Sequence, residues 1–574
     1  MGVKRMGRRS FLAGVASMTG FGIAGCAAGA RQGSSTDAPG STGDRTGSSS
    51  GDRTGSSNGD RTGNEGGDRT GNEGGDRRGS GNGLNSAINV IKSKLTLPEP
   101  FQIALPVPAQ LVARRTADTD YYTIVQSVSR QEIIPGYKTT IWGYNGTFPG
   151  PTIVSASGRQ TVVNHTNGLP VPTVVHLHGG RTPADQDGYA TDYLLPAGMN
   201  TPPVIAAMPG MSSMTDSDAK ITKVSRDYIY PMQQRAATLW YHDHRMSFTG
   251  ASVCKGLAGF HLVHDDEELA LPLPGGDRDI PLMICDRAFG SDGEFLYPSL
   301  DPTLQSLPGV TENAKTGVMG DVVLVNGAPW PMLHVGTGRY RFRILNASNA
   351  RTYQLGLQPG TSTETIPFTQ IGTDGGLLAA PIDQPSLVIA PAQRFDVIID
   401  FGAFAVGDEI TMINQANEGS VASVMRFKVD HTTADATSIP KTLSKIQAID
   451  PASISTRRQM SFRRGNGGFV INGHPFDPQT SEATVKNGTT ELWTIRADFE
   501  HPVHVHLANL QVVSRNGGLP GPFDTGWKDT VFLRDNDTVE LAVQFNGFAG
   551  RYMFHCHNLE HEDMAMMANF QIVD

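Results

Sequence analysis

One turn occurs three times in this chain: Asn145-Gly146-Thr147-Phe148-Pro149-Gly150-Pro151, Asn326-Gly327-Ala328-Pro329-Trp330-Pro331 and Asn472-Gly473-His474-Pro475-Phe476-Asp477-Pro478. The copies lie at domain-sized intervals, and each is followed by a strand that ends in a polar turn, which marks an internal repeat. Around them run short alternating segments separated by Gly, Pro, Asn and Asp, such as Tyr122 to Val128, Arg339 to Leu345, Glu491 to Arg496 and Val539 to Phe545. Segments of this kind at regular spacing indicate β-sandwiches. No long amphipathic pattern of 3.6-residue period competes with them. With 66 Gly and 36 Pro in 574 residues, the composition is turn-rich rather than helical. The expectation is an all-β chain of three consecutive sandwich domains, at 95–268, 269–440 and 441–574. Residues 430–457, rich in Thr, Ser, Pro and Lys, read as the linker between the last two.

The part before residue 95 is of another kind. Lys4, Arg5, Arg8 and Arg9 precede a short apolar run from Phe11 to Gly25, the pattern of a targeting segment over 1–26. Arg8-Arg9-Ser10-Phe11-Leu12 resembles a twin-arginine export signal. Ile23-Ala24-Gly25-Cys26 resembles a lipoprotein cleavage box, leaving a lipid anchor at Cys26 and a soluble exported form both open. Residues 27–94 read as a linker. Within it, five octads built on Gly-Asp-Arg-Thr begin at Gly43, Gly51, Gly59, Gly67 and Gly75, and they hold no aromatic or branched aliphatic residue. Such octads cannot bury a core, and 27–94 as a whole is expected to stay disordered. An exported protein, at the cell surface or in a periplasmic or extracellular space, follows. The net charge of −9 and the lack of a basic, aromatic-studded patch argue against nucleic acid as a partner.

The histidines are distributed very unevenly. Ten of the 16 fall in four clusters: His176/His178, His242/His244, His501/His504/His506 and His555/His557/His561. Residues two apart on a strand point to the same face, so a His-x-His pair can clasp one metal or bridge two neighbours. The last cluster encloses Cys556 and is followed by Met564, Met566 and Met567. Two imidazoles, a thiolate and a weak thioether suit a blue-copper site. His555 and His557 must face away from Cys556, so they are free to hold a different metal. The first and third repeats carry histidines after their turns, whereas the second has Tyr353 in that region and none. The middle domain is expected to act as a scaffold.

These motifs, His-Leu-His-Gly, Trp240-Tyr-His-Asp-His, His-Pro-x-His-x-His and His-Cys-His-x3-His, resemble those of multicopper oxidases over essentially all of 95–574. The resemblance implies cupredoxin-like Greek-key sandwiches and four copper ions. It implies a type 1 site of His501, Cys556 and His561 with Met566 axial, by its spacing from the Cys, although Met564 and Met567 lie nearby. It implies a type 2 copper on His176 and His504, and a type 3 pair on His178, His242, His244, His506, His555 and His557. It also suggests Glu562 and Asp187 as catalytic carboxylates that assist proton delivery, since reducing O2 to two waters takes four protons. The implied partners are O2 and a small reductant such as a phenol, aminophenol or bilirubin-like pyrrole. A metallo-oxidase for Cu(I) or Mn(II) is the alternative, with Met199, Met208, Met211 and Met214 as soft ligands. A non-enzymatic copper-binding protein is a third reading, disfavoured because a carrier needs no trinuclear site. The remaining histidines, among them His165, His261, His334 and His431, read as surface or hydrogen-bonded residues. Cys254 and Cys285 are left as a pair or as two buried thiols.

Overall fold

The computed structural model describes residues 83–206, 216–465 and 468–574. The export signal, Cys26, the octads up to Asn82, and Met208, Met211 and Met214 lie outside the described residues. Among the described residues from Arg114 to Val573 the chain forms pairs of twisted sheets, with only short helical segments between strands. A five-stranded and a four-stranded sheet are built between Arg114 and His264. A seven-stranded and a five-stranded sheet follow between Asp279 and Thr432. Two five-stranded sheets complete the chain between Arg457 and Val573. Strand order is not sequence order in any of these pairs, as crossing between two layers requires. Where a strand has one face on the core, burial alternates, as along Thr119–Gln131.

The repeated turn has the same construction in all three places. The Asn and Gly of each copy sit at positive φ: 53° and 70° at Asn145-Gly146, 50° and 82° at Asn326-Gly327, 53° and 94° at Asn472-Gly473. That backbone is why Asn-Gly occupies the turn. Each Asn then makes the same pair of bonds to one residue of a preceding strand, the one before the strand that leads into the turn. Its side-chain oxygen accepts from Val125, Met283 or Ser461 at 2.8–2.9 Å, and its own N–H donates back to that residue's carbonyl. In each case that preceding strand also pairs in parallel with a later one of its sandwich: Thr119–Gln131 with Gln160–Asn167, Asp279–Arg287 with Arg339–Asn346, Arg457–Gly465 with Thr489–Ala497.

Two expectations are corrected. Residues 83–94 of the expected disordered linker pack on the sandwiches, with Ile88 buried and the Ser93 N–H bonded to Asp321 at 3.0 Å. His165 is a core residue rather than a surface one, while His261 is buried and hydrogen-bonded. His165 sits edge-on to Tyr144, Tyr228 and Tyr241, and His261 bonds Ser155 Oγ through Nε2 at 2.7 Å. Cys254 and Cys285 are both buried and both free.

Candidate metal centres

Strand register decides which imidazoles meet. In the last sandwich, His501–Val505 pairs antiparallel with Gly550–Cys556, placing Val503 opposite Cys556 and His504 opposite His555. Alternation then sends His501, Val503 and Cys556 to one face and His504, His506 and His555 to the other. The first face is the sandwich's own core, where Cys556 packs among Val503, Val505, Met564 and Met566. The second face meets the first sandwich. There Val175–His178 pairs with Ala237–Asp243, setting His176 opposite His242 and His178 opposite Trp240.

On the core face, three atoms form a nearly equilateral triangle. His501 Nδ1 lies 3.3 Å from Cys556 Sγ, Cys556 Sγ 3.5 Å from His561 Nδ1, and the two Nδ1 atoms 3.3 Å apart. His561 comes from the short helix Leu559–Asp563, and Met566 closes the loop after it, its carbonyl accepting from the Cys556 N–H at 3.1 Å. Met567 instead packs with Tyr189 and Met553 in a separate cluster, so it belongs to the other face. Burial pushes the Cys556 thiol up, so a thiolate here needs a cation beside it. Both imidazoles are shut off from solvent. Phe469 stacks on His561 at 3.6 Å, and His501 Nε2 faces Asp498, whose side chain is 37% exposed, at 3.8 Å.

Across the interface, eight imidazoles crowd together. His244 Nε2 and His506 Nε2 lie 3.3 and 3.2 Å from His555 Nε2. His176, His178 and His504 form a second group able to hold a metal ion, and His178, His242 and His557 a third. All eight are buried. Most are tied at one nitrogen, and the other faces the cluster. His176 Nδ1 donates to the Asp187 carbonyl at 2.6 Å, His242 Nδ1 to the Asp243 carbonyl at 2.9 Å, and His504 Nδ1 to the Asp529 carbonyl at 3.0 Å. The opposite atoms, His176 Nε2, His178 Nδ1, His242 Nε2 and His504 Nε2, have no hydrogen-bond partner. Buried polar atoms rarely go unpaired. Here the unpaired ones converge, which is how a protein prepares imidazoles for metal. Burial and the neighbouring imidazoles hold His176, His178, His504, His506 and His557 below the usual imidazole range, and His242 at about 3. Burial holds His244 at about 4. Neutral imidazole is the ligand form. The residues present therefore fit copper in both sites. One offers two imidazole nitrogens and a thiol sulfur with a neighbouring thioether, the other a set of imidazoles with free, converging nitrogens.

Three carboxylates touch the cluster from outside. Glu562 Oε2 lies 3.2 Å from His555 Nδ1 and Glu562 Oε1 3.8 Å from His244 Nδ1. Burial works against its charge, but His244 and His555 hold its carboxyl well below the usual range. Asp187 Oδ2 lies 2.7 Å from His506 Nδ1, and burial pushes this carboxyl well up. The third, Asp529, was not singled out in the sequence. Its Oδ1 accepts from His178 Nε2 at 3.1 Å. Burial opposes its charge too, and Arg394 and His178 more than offset that, keeping it ionised. Of the four methionines suggested for a soft site, only Met199 is described, and it packs partly buried beside the cluster of Tyr189, Met246 and Met567.

Sequence models of the multicopper oxidase family match residues 127–207, 206–268 and 442–574. The chain is 34% identical to a laccase of Bacillus subtilis over 536 residues, covering 83% of this chain and 99% of that protein. It is 32% identical to the bilirubin oxidase of Albifimbria verrucaria, covering 82% of this chain and 81% of that one. The crystal structure of a laccase from Pediococcus acidilactici superposes with a TM-score of 0.72 at 27% identity, covering 86% of this chain and 98% of that one. The cupredoxin-like architecture expected from the motifs is thus present. On its fold, its two copper-competent sites and these likenesses, this chain belongs to the multicopper oxidases, copper-dependent oxidoreductases that use O2.

Proposed function

We propose that the chain is a laccase-like oxidase. It takes single electrons from phenols, aminophenols or bilirubin-like pyrroles and passes four of them to O2, which with four protons becomes two waters. Copper, when bound, supplies the one-electron oxidation at the triangle and the O2 reduction at the cluster. His501, Cys556, His561 and Met566 would hold the type 1 ion. His176 and His504 would hold the type 2 ion, and His178, His242, His244, His506, His555 and His557 the type 3 pair, four ions in all. The observation that carries this reading is the tripeptide His555-Cys556-His557. Its thiol lies in one site and its two imidazoles in the other, so a covalent path joins them.

The chain's own acids supply the rest. Glu562 faces the outer nitrogens of His555 and His244, at 3.2 and 3.8 Å, and Asp187 stands at that of His506. Both are positioned to hold or release a proton beside the cluster without crossing bulk solvent. Reductants would meet the triangle at the rim formed by Asp498, with Arg464 lying 4.3 Å over Phe499. The twin-arginine-like start supports export of the folded chain to the cell surface, with Cys26 as its lipid anchor. O2 uptake by the copper-loaded protein tests the reading, with a phenolic dye, bilirubin and Cu(I) as separate reductants. Uptake with the dye or bilirubin is expected. Uptake with Cu(I) alone would replace the proposal with a metallo-oxidase, and no uptake at full copper loading would overturn it.

A further inference from the structure

The middle sandwich contributes no imidazole to either site, yet one of its side chains reaches the back of the cluster. Arg394 begins the strand Arg394–Asp400 and is completely buried. Its Nε donates to the Thr238 carbonyl of the first sandwich and its Nη1 to the Ala392 carbonyl of its own, both at 2.9 Å. Nη1 also donates to Asp529 Oδ1 of the last sandwich at 2.8 Å, while Nη2 bonds Oδ2. A fork that engages both carboxylate oxygens fixes the plane of the acid as well as its position.

Asp529 hands that position on. Its Oδ1 accepts from His178 Nε2, and its main-chain oxygen accepts from His504 Nδ1. His178 comes from the first sandwich and His504 from the last, and their rings stack with centroids 3.6 Å apart. Two imidazoles from different sandwiches are therefore set against one residue, and that residue against Arg394. The surroundings are built for this approach. Gly179 of the His-Leu-His-Gly motif has φ +83°, and a Cβ there would stand 2.7 Å from Arg394 Nη2 and 2.8 Å from Asp529 Oδ2. The charges also balance: Lys528, fully buried, lies 3.4 Å from Asp374, which accepts the Arg394 main-chain N–H at 2.8 Å.

We propose that Arg394 and Asp529 are positioning residues of the cluster: Arg394 fixes the Asp529 carboxylate, which keeps the proton of His178 on Nε2 and so presents Nδ1 to the metal. The ligand-free sandwich thereby selects the ligating nitrogen of an imidazole it does not own. This rests on the copper-oxidase reading, and its test is read against the copper content of the wild type.

The experiment uses the full chain and three variants: Arg394→Lys, Asp529→Ala, and Arg343→Lys as control. Arg343 is an equally buried arginine of the middle sandwich, but its bonds go to Glu268, Asp279 and Thr238. Copper affinity, blue absorbance and the type 2 EPR signal are measured for each. For Arg394→Lys and Asp529→Ala, copper beyond the first ion should bind about 10–100-fold more weakly. The type 2 EPR parameters of the saturated protein should shift, and the blue absorbance should persist. Arg343→Lys should lower the unfolding temperature and leave affinity and EPR unchanged. Unaltered affinity and EPR in Arg394→Lys would overturn the proposal, as would an equal loss in Arg343→Lys. If Asp529→Ala fails to fold, Arg394→Lys decides. A wild type that binds no copper would instead sink the proposed function itself.

Discussion

The two metal sites share a tripeptide but are built on opposite plans. The triangle of His501, Cys556 and His561 is a private matter of the last sandwich, drawn from one core and closed by one short helix. The eight-histidine cluster belongs to no single sandwich. It takes four imidazoles from each side of an interface, and its outer bonds run to Asp187, Asp529 and, through Asp529, to the middle sandwich. A site inside one core depends on that core's packing. A site across an interface depends on everything that fixes the docking, so residues remote in sequence can control it. Perturbations should therefore sort by which plan they touch.

The largest effect is expected at Glu562, which follows a ligand of the triangle in sequence but serves the cluster in space. On the proposed function, Glu562→Gln removes a proton carrier while keeping its volume. Turnover with any reductant should fall about 10²–10⁴-fold, with copper content and blue absorbance retained, as steady-state O2 uptake and metal analysis would show. Copper lost together with activity would mean that Glu562 only holds His555 in place. Met566→Leu sits at the other pole, inside the private core. On the proposed ligand set, the blue absorbance should remain and the reduction potential of the copper should rise, because a weak thioether ligand tunes it. The swap nearly conserves volume, so stability should change by less than about 1.5 kcal/mol. An unchanged potential in a redox titration would point to Met564.

The smallest effect on the sites should come from the ion cluster between the first and middle sandwiches, where Glu268 bonds Arg341 and Arg343. Burial works to raise this carboxyl, but Arg343, His264 and Arg341 hold it far below its usual value. A depressed folded pKa gives stability that is present above the unfolded value, near about 4.3, and is lost as pH falls through the folded one. Glu268→Gln should thus be less stable than wild type at neutral pH, and the gap should close in acid. Melting curves across that range check it. A gap that widened on acidification would reverse the sign.

Much of this was legible in the sequence, for a physical reason. Strand alternation turns a two-residue spacing into a shared face, so His176/His178, His242/His244 and His504/His506 announce themselves, and Cys556 announces that its neighbours serve another site. The Asn-Gly turns were readable because positive φ restricts which residues can stand there. Arg394 and Asp529 were not readable. Neither has a diagnostic spacing, and their meeting is set by the docking of sandwiches whose contacts lie 135 residues apart. Gly179 carried a trace of it, since a glycine directly after two ligands implies that something comes close. His165 misled for the opposite reason: a single histidine in an alternating strand looks the same whether its face is wet or packed against tyrosines.

Both plans rest on the register around Cys556, which splits its tripeptide between the two sites. EPR and metal analysis of copper-loaded Cys556→Ser test that split most directly. The expected result is loss of the blue absorbance and of reductant oxidation, with the type 2 signal and the copper of the cluster still present. Loss of copper from both sites together would contradict the partition.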